Sequence, residues 1–167
     1  MPTIAIVGAG PGLGSSLGKI FGRHSYDVAL VSRSKDNLAT LAAGLAEHGV
    51  IAEGFAADVA DPASLTAALE AATARFGRID VLEFSPYVGL VQVFPAEVIV
   101  DNLAPAIQEI LHNTLADQGI YAGVVAVNAM ISDNAPDGYP AIAPDSLAQH
   151  YWDLHTQRGQ AELVLPA

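Results

Sequence analysis

Over its first half the chain alternates two patterns of apolar residues. Short apolar runs at residues 3–7, 28–32, 50–56 and 81–84 have the length and β-branched content of buried strands. Between them, apolar residues recur at helical spacing. Leu13, Leu17, Ile20 and Phe21 make one stripe, Leu38, Leu41, Ala42 and Leu45 a second, and Leu65, Leu69, Ala72 and Phe76 a third. Asp61 before Pro62 is a good N-cap and first-turn pair for the third helix. Alternating strands and helices predict βαβ units around a parallel sheet. Right-handed crossovers put the helices on both faces and a ligand crevice at the strand C-termini.

Beyond Pro86 the pattern is less regular. Asn102 would cap a helix from about Leu103, with Leu103, Ile107, Ile110, Leu111 and Leu115 on one face. Residues 120–129 form a strongly apolar strand candidate. Residues 132–144 hold three prolines and a glycine among acidic and amide turn formers, and read as a long surface loop of the kind that often acts as a lid. Leu147, Tyr151 and Leu154 suggest a last short helix, and residues 161–165 a terminal strand or edge segment. The expected fold class is α/β, a doubly wound parallel sheet, in a single domain over residues 1–167.

Composition narrows the setting. With 51% hydrophobic residues and only 15% charged, the chain is expected to bury a full core. No uninterrupted apolar run approaches the roughly 18 residues of a membrane span, and the N-terminus runs directly into a strand without a basic leader, so a cytoplasmic location is expected. The absence of cysteine excludes disulfides, thiolate nucleophiles and zinc–thiolate sites. A net charge of −11 argues against nucleic-acid or anionic-membrane partners, which need clustered Lys and Arg.

The first strand leads through Gly8-Ala9-Gly10-Pro11-Gly12-Leu13-Gly14 straight into a helix. That context suits a phosphate-cradling turn, because glycines let the backbone come close and a helix N-terminus offers free N–H groups and partial positive charge. GxGxxG does not fit, but GxxxGxG fits through Gly8, Gly12 and Gly14. Arg33 stands near the end of the second strand, where an NAD-type site would carry an acid for the ribose 2′-hydroxyl. A guanidinium suits a 2′-phosphate instead, which points to NADP(H).

The glycine spacing resembles the short-chain dehydrogenase/reductase family. So do Ser32-Arg33 followed by Leu38, the stretch Ala57-Asp58-Val59, and the lead Phe76-Gly77-Arg78-Ile79-Asp80-Val81-Leu82 into the fourth strand. The resemblance implies a Rossmann-like domain with Gly8, Gly10, Gly12, Leu13, Gly14, Ser32, Arg33, Asp58, Val59 and Ser85 at the cofactor. It also implies an oxidoreductase acting on a small carbonyl or alkene substrate of unknown identity.

After Leu82 the sequence departs from that pattern. Phe84-Ser85-Pro86-Tyr87 replaces the family's Asn-Asn-Ala-Gly, and Glu83 stands where an apolar residue is expected. The family's Tyr-x-x-x-Lys pair has no counterpart, since the lysines are Lys19 and Lys35 only. The chain therefore reads as a member shortened by about one βα repeat after the fourth strand.

Tyr87 at the crevice, and Tyr139 in the expected lid, are the remaining candidates for proton transfer. The alternative is a cofactor-binding sensor, partner module or inactive remnant. Tyr151 and His155 echo the missing pair but belong to a packing helix. The five histidines show no spacing for a metal site. Ser85, His112 and Asp101 lack a nucleophile elbow. The stripe over residues 103–115 is a candidate surface for a homodimer or higher homo-oligomer.

Overall fold

The structure, a computed structural model, describes residues 1–86, 115, 118, 120–127, 129–160 and 162–165. The helix expected from Leu103, Tyr87 and the place of the expected shortening lie outside these residues. The chain divides into two compact units, Met1–Val88 and Gly89–Ala167.

The first unit runs β1 (Thr3–Val7), α1 (Leu13–Arg23), β2 (Asp27–Ser32), α2 (Lys35–Ala46), β3 (Ala52–Ala56), α3 (Pro62–Phe76) and β4 (Val81–Phe84). The four strands form one parallel sheet in the order β3-β2-β1-β4. The α/β, Rossmann-like class expected from the sequence is thus present, with helices on both faces.

Register shows how the faces are filled. Ile6, Leu30 and Gly54 align across β1, β2 and β3. On this face α2 lies so close that a Cβ on Gly54 would come within 2.6 Å of the Leu38 Cβ. Helix α1 packs beside α2, with Gly18 against Leu45 and Gly22 against Val50. On the other face Ala5, Val7, Ala29 and Val31, with Phe55, meet Leu65, Ala68, Leu69, Ala72 and Phe76 of α3. Burial of each large aliphatic here contributes about 1.5–3 kcal/mol.

The cap expected for α3 is present, since the Asp61 side chain accepts the Ala63 N–H at 3.0 Å. The third strand begins later than residue 50. The Val50 N–H donates to the Leu45 carbonyl at 3.2 Å, closing α2, and its side chain fills the space beside Gly22.

The second unit contains β5 (Val124–Val127), β6 (Met130–Ile131), β7 (Ala141–Ile142), α4 (Pro144–Gln157) and β8 (Glu162–Leu165). β5 pairs in parallel with β8, and β6 with β7. The strand expected over residues 120–129 is confined to β5. Before it, the Ile120 N–H bonds to the Leu115 carbonyl, and the Tyr121 hydroxyl donates to the Gln160 carbonyl at 2.5 Å, with the Arg158 guanidinium over its ring.

The loop expected over residues 132–144 is closed at its base. The Met130 N–H reaches the Pro140 carbonyl at 2.9 Å, and the Ser132 N–H reaches that of Ile142 at 3.0 Å. Pro144 opens α4, which runs 14 residues rather than the short helix expected. No helix among the described residues is long and apolar enough to cross a membrane.

Candidate functional site

The glycines between β1 and α1 divide into two kinds. Gly8 has φ +100°, and a Cβ on it would come within 2.6 Å of the Ser85 carbonyl oxygen and 2.7 Å of the Pro86 backbone. The end of β4 therefore presses on the turn, fastened by the Ser85 N–H to the Val7 carbonyl at 2.9 Å. A Cβ on Gly14 would lie 2.9 Å from the Ala9 Cα, where the first turn of α1 folds back on the loop. These two glycines serve the close approach of the chain to itself.

Gly10 and Gly12 are different. A Cβ on Gly12 would meet no described atom within 4 Å, and one on Gly10 only the Gly8 carbonyl at 3.9 Å. Their bare backbone faces outward.

Gly12 is also the N-cap of α1, so no side chain caps the helix, and no acid lies in its first turn. The turn's own bonds start with Ser15 N–H to the Gly10 carbonyl and Ser16 N–H to that of Gly12. The leading N–H groups, at Gly12, Leu13 and Gly14, have no intrahelical acceptor. Uncapped amides and the positive end of the dipole make this a place for an anion.

The other expected site residues lie at the same ends of the parallel strands. Ser32 closes β2, and its carbonyl accepts the Ala57 N–H at 3.0 Å. Arg33 follows it, exposed and with no ion pair among the described residues. Ser34 caps α2 through the Asn37 N–H.

After β3, the Asp58 carboxylate accepts the Ala60 N–H at 3.0 Å, and its own N–H donates to the Ser64 hydroxyl at 3.2 Å. Val59 packs against the cluster of Val7, Val31, Ala57 and Ala68. Asp58 and Val59 therefore shape the β3–α3 connection. The part played by Ser64 was not read from the sequence, where a half-buried serine in a first helical turn gives little signal.

Two acids on or beside β4 complete the picture. Asp80 accepts the Thr3 N–H at 2.9 Å and pairs with Arg78. The Thr3 hydrogen bond, aided by Arg78, holds its carboxyl below the usual range. Glu83 is buried, and neither carboxylate oxygen has a hydrogen-bond partner among the described residues. Burial is the larger influence and pushes its pKa up to about 7; the nearby Ser85 hydroxyl, which does not reach hydrogen-bonding geometry, opposes the rise.

In the second unit, Tyr139 is exposed in the loop between β6 and β7. Tyr151 and His155 lie on α4, where the His155 ring meets Trp152 at 5.7 Å and burial lowers its pKa.

Known proteins resemble this chain in sequence and in fold. D-threitol dehydrogenase of Mycolicibacterium smegmatis is 37% identical over 92 residues, which are 55% of this chain and 35% of that protein. The matched stretch thus spans about a third of the length of the curated relatives. Among solved structures, a short-chain dehydrogenase from Rhodopseudomonas palustris gives a TM-score of 0.76 at 17% identity, over 99% of this chain and 98% of that one. A short-chain dehydrogenase from Sphingobium yanoikuyae in complex with NADPH gives 0.67 at 23% identity, over 98% and 87%. At such identities the likeness is one of fold. The family model for short chain dehydrogenase matches residues 2–98, more than half the sequence, so the chain belongs to the short-chain dehydrogenase/reductase family.

Proposed function

We propose that the chain binds NADP(H) at the C-terminal ends of β1 to β4, as the nucleotide-binding part of an oxidoreductase acting on a small carbonyl or alkene substrate. One observation carries the reading. The uncapped N-terminus of α1, with bare backbone at Gly10 and Gly12, and the exposed Arg33, without an ion pair among the described residues, lie at the same ends of adjacent parallel strands. The first suits a pyrophosphate and the second a 2′-phosphate. The related fold solved with NADPH supports it.

Gly8 and Gly14 would set the shape of the turn, while Gly10, Gly12 and Leu13 would present amides to the pyrophosphate. Ser32 and Arg33 would hold the phosphorylated ribose, Asp58 and Val59 would border the adenine, and Ser85 would close the crevice from β4. The bound nicotinamide supplies or accepts hydride. Tyr87 is the candidate to hold the proton.

A second reading is a binding module without redox turnover. It is favoured by the sequence, whose two lysines, Lys19 and Lys35, stand four residues after Ser15 and Val31 and so form no Tyr-x-x-x-Lys pair. Cytoplasmic location and self-association through residues 103–115 remain part of the proposal.

Titration of NADPH and NADH against wild type and Arg33→Ala tests the cofactor assignment. A charged hydrogen bond of this kind contributes about 1.5–3 kcal/mol, so wild type should prefer NADPH by roughly tenfold to a hundredfold. The variant should lose that preference. Equal affinities in wild type would refute it. NADPH oxidation with a panel of aldehydes, ketones and activated alkenes then separates the oxidoreductase from the binding module.

A further inference from the structure

Among the described residues Glu83 is the only ionisable side chain with less than a tenth of its surface exposed. It stands opposite Ile6 in the β1–β4 register, on the sheet face where α1 and α2 pack over β1, β2 and β3. An ionised carboxylate sealed there without a partner is strongly disfavoured. Two residues further on, about 7 Å along the strand, the Ser85 carbonyl presses on Gly8, where the anion-binding turn begins.

We propose that Glu83 is a proton-linked control on dinucleotide binding: the crevice takes the cofactor with this carboxyl neutral and releases it more readily when the carboxyl is ionised. The inference rests on the crevice being a dinucleotide site. At an effective dielectric of about 20, a carboxylate on the order of 10 Å from a bound anion would repel it enough to weaken binding about tenfold.

No charged group among the described residues neutralises Glu83, whose two carboxylate oxygens are without a hydrogen-bond partner. β1 carries no ionisable side chain. On α1, Lys19 and Arg23 are not among the buried residues that face the sheet. On α2, Lys35 and Asp36 are exposed. Asp27 on β2 and Asp80 before β4 lie at the opposite ends of their strands from the crevice, and Asp80 is already held by Thr3 and Arg78. Among the described residues the Ser85 hydroxyl opposes the rise, by less than burial drives it. Burial places the titration near neutral pH, so both forms are populated under ordinary conditions.

The test is binding of NADH and NADPH to the full chain between about pH 5.5 and 8.5, followed by cofactor fluorescence, for wild type, Glu83→Gln and Glu83→Leu. NADH gives the direct readout, because the 2′-phosphate of NADPH titrates near pH 6 itself. Wild-type affinity for NADH should fall about tenfold as pH rises through 7, and either folded variant should show no such fall. The same profile in wild type and variant would overturn the control by Glu83 and leave the cofactor reading standing. Failure of both dinucleotides to bind at every pH would overturn the cofactor reading, and this inference with it.

Discussion

β1 and β4 lie side by side in one parallel sheet and bury opposite kinds of residue. All five residues of β1 are buried, Ile4 and Ile6 towards α1 and α2, Ala5 and Val7 towards α3. In β4, Leu82 and Phe84 are 56% and 60% exposed, while Glu83 is 6% exposed. Register explains the inversion. Leu82 and Phe84 continue the rows of Ala5 and Val7, but α3 packs over β3, β2 and β1 and leaves that end of the row bare. A strand's neighbours, more than its residue types, decide which of its faces is covered.

The largest expected effect comes from the interior strand. Ile6→Ala removes a fully buried side chain and should cost about 2–5 kcal/mol, read as a lower urea midpoint at unchanged slope. Leu82→Ala, on the neighbouring strand, should cost less than about 0.5 kcal/mol. Comparable losses at the two positions would show that β4 is covered as well as β1.

Glu83→Leu comes next. The Glu83 pKa is raised from 4.5 to about 7, so the folded state holds a proton that the unfolded state has released. The resulting penalty is absent below about pH 4.5, grows through the interval, and is complete above about pH 7. Replacing the acid by leucine should therefore stabilise the protein by about 1–3 kcal/mol at pH 8 and leave no such pH-dependent gain at pH 4. A destabilised variant at pH 8 would reveal a partner for the carboxylate.

The smallest effect concerns the clasp between the starts of the two strands. Asp80 is held below its usual pKa, chiefly by the Thr3 N–H, so its contribution is present above the unfolded-state value and is lost as pH falls through the lower folded-state one. Thermal unfolding between pH 6 and 2 should show a shallower acid loss for Asp80→Asn than for wild type. Identical slopes would mean that the hydrogen bond does not bias the carboxyl.

The sequence was most readable where local chemistry and tertiary surroundings agree. β1 and β4 were bounded correctly, because turn formers follow each apolar segment, even though Glu83 interrupts the second. The helices were found from their stripes and from the Asp61-Pro62 cap. The third strand was begun too early, since Val50 looks like a strand residue but spends its N–H on the end of α2. The strand around β5 was drawn too long for a similar reason: Ile120 and Tyr121 are apolar, yet their bonds go to Leu115 and Gln160.

At the site, the run of glycines and Arg33 could be read directly, but the separate duties of those glycines could not. Gly8 meets backbone because the end of β4 arrives there, and Gly14 because the loop folds back at Ala9. Glu83 could be noticed only as an acid out of pattern. Its side chain falls on the same face as Ile6 only because of the β1–β4 register, which is a tertiary fact.

The bare apolar row on β4 also bears on how the protein behaves in concentrated solution. Two large side chains on a strand whose only neighbour among the described residues is β1 form a sticky spot for collisions between molecules. The net charge of −11 keeps such molecules apart at low ionic strength. Added salt shortens the range of that repulsion to about 10 Å at 0.1 M while leaving the apolar attraction intact. Colloidal stability should therefore be greatest in dilute buffer well above the isoelectric point, and should decline with added salt before any loss of folded structure.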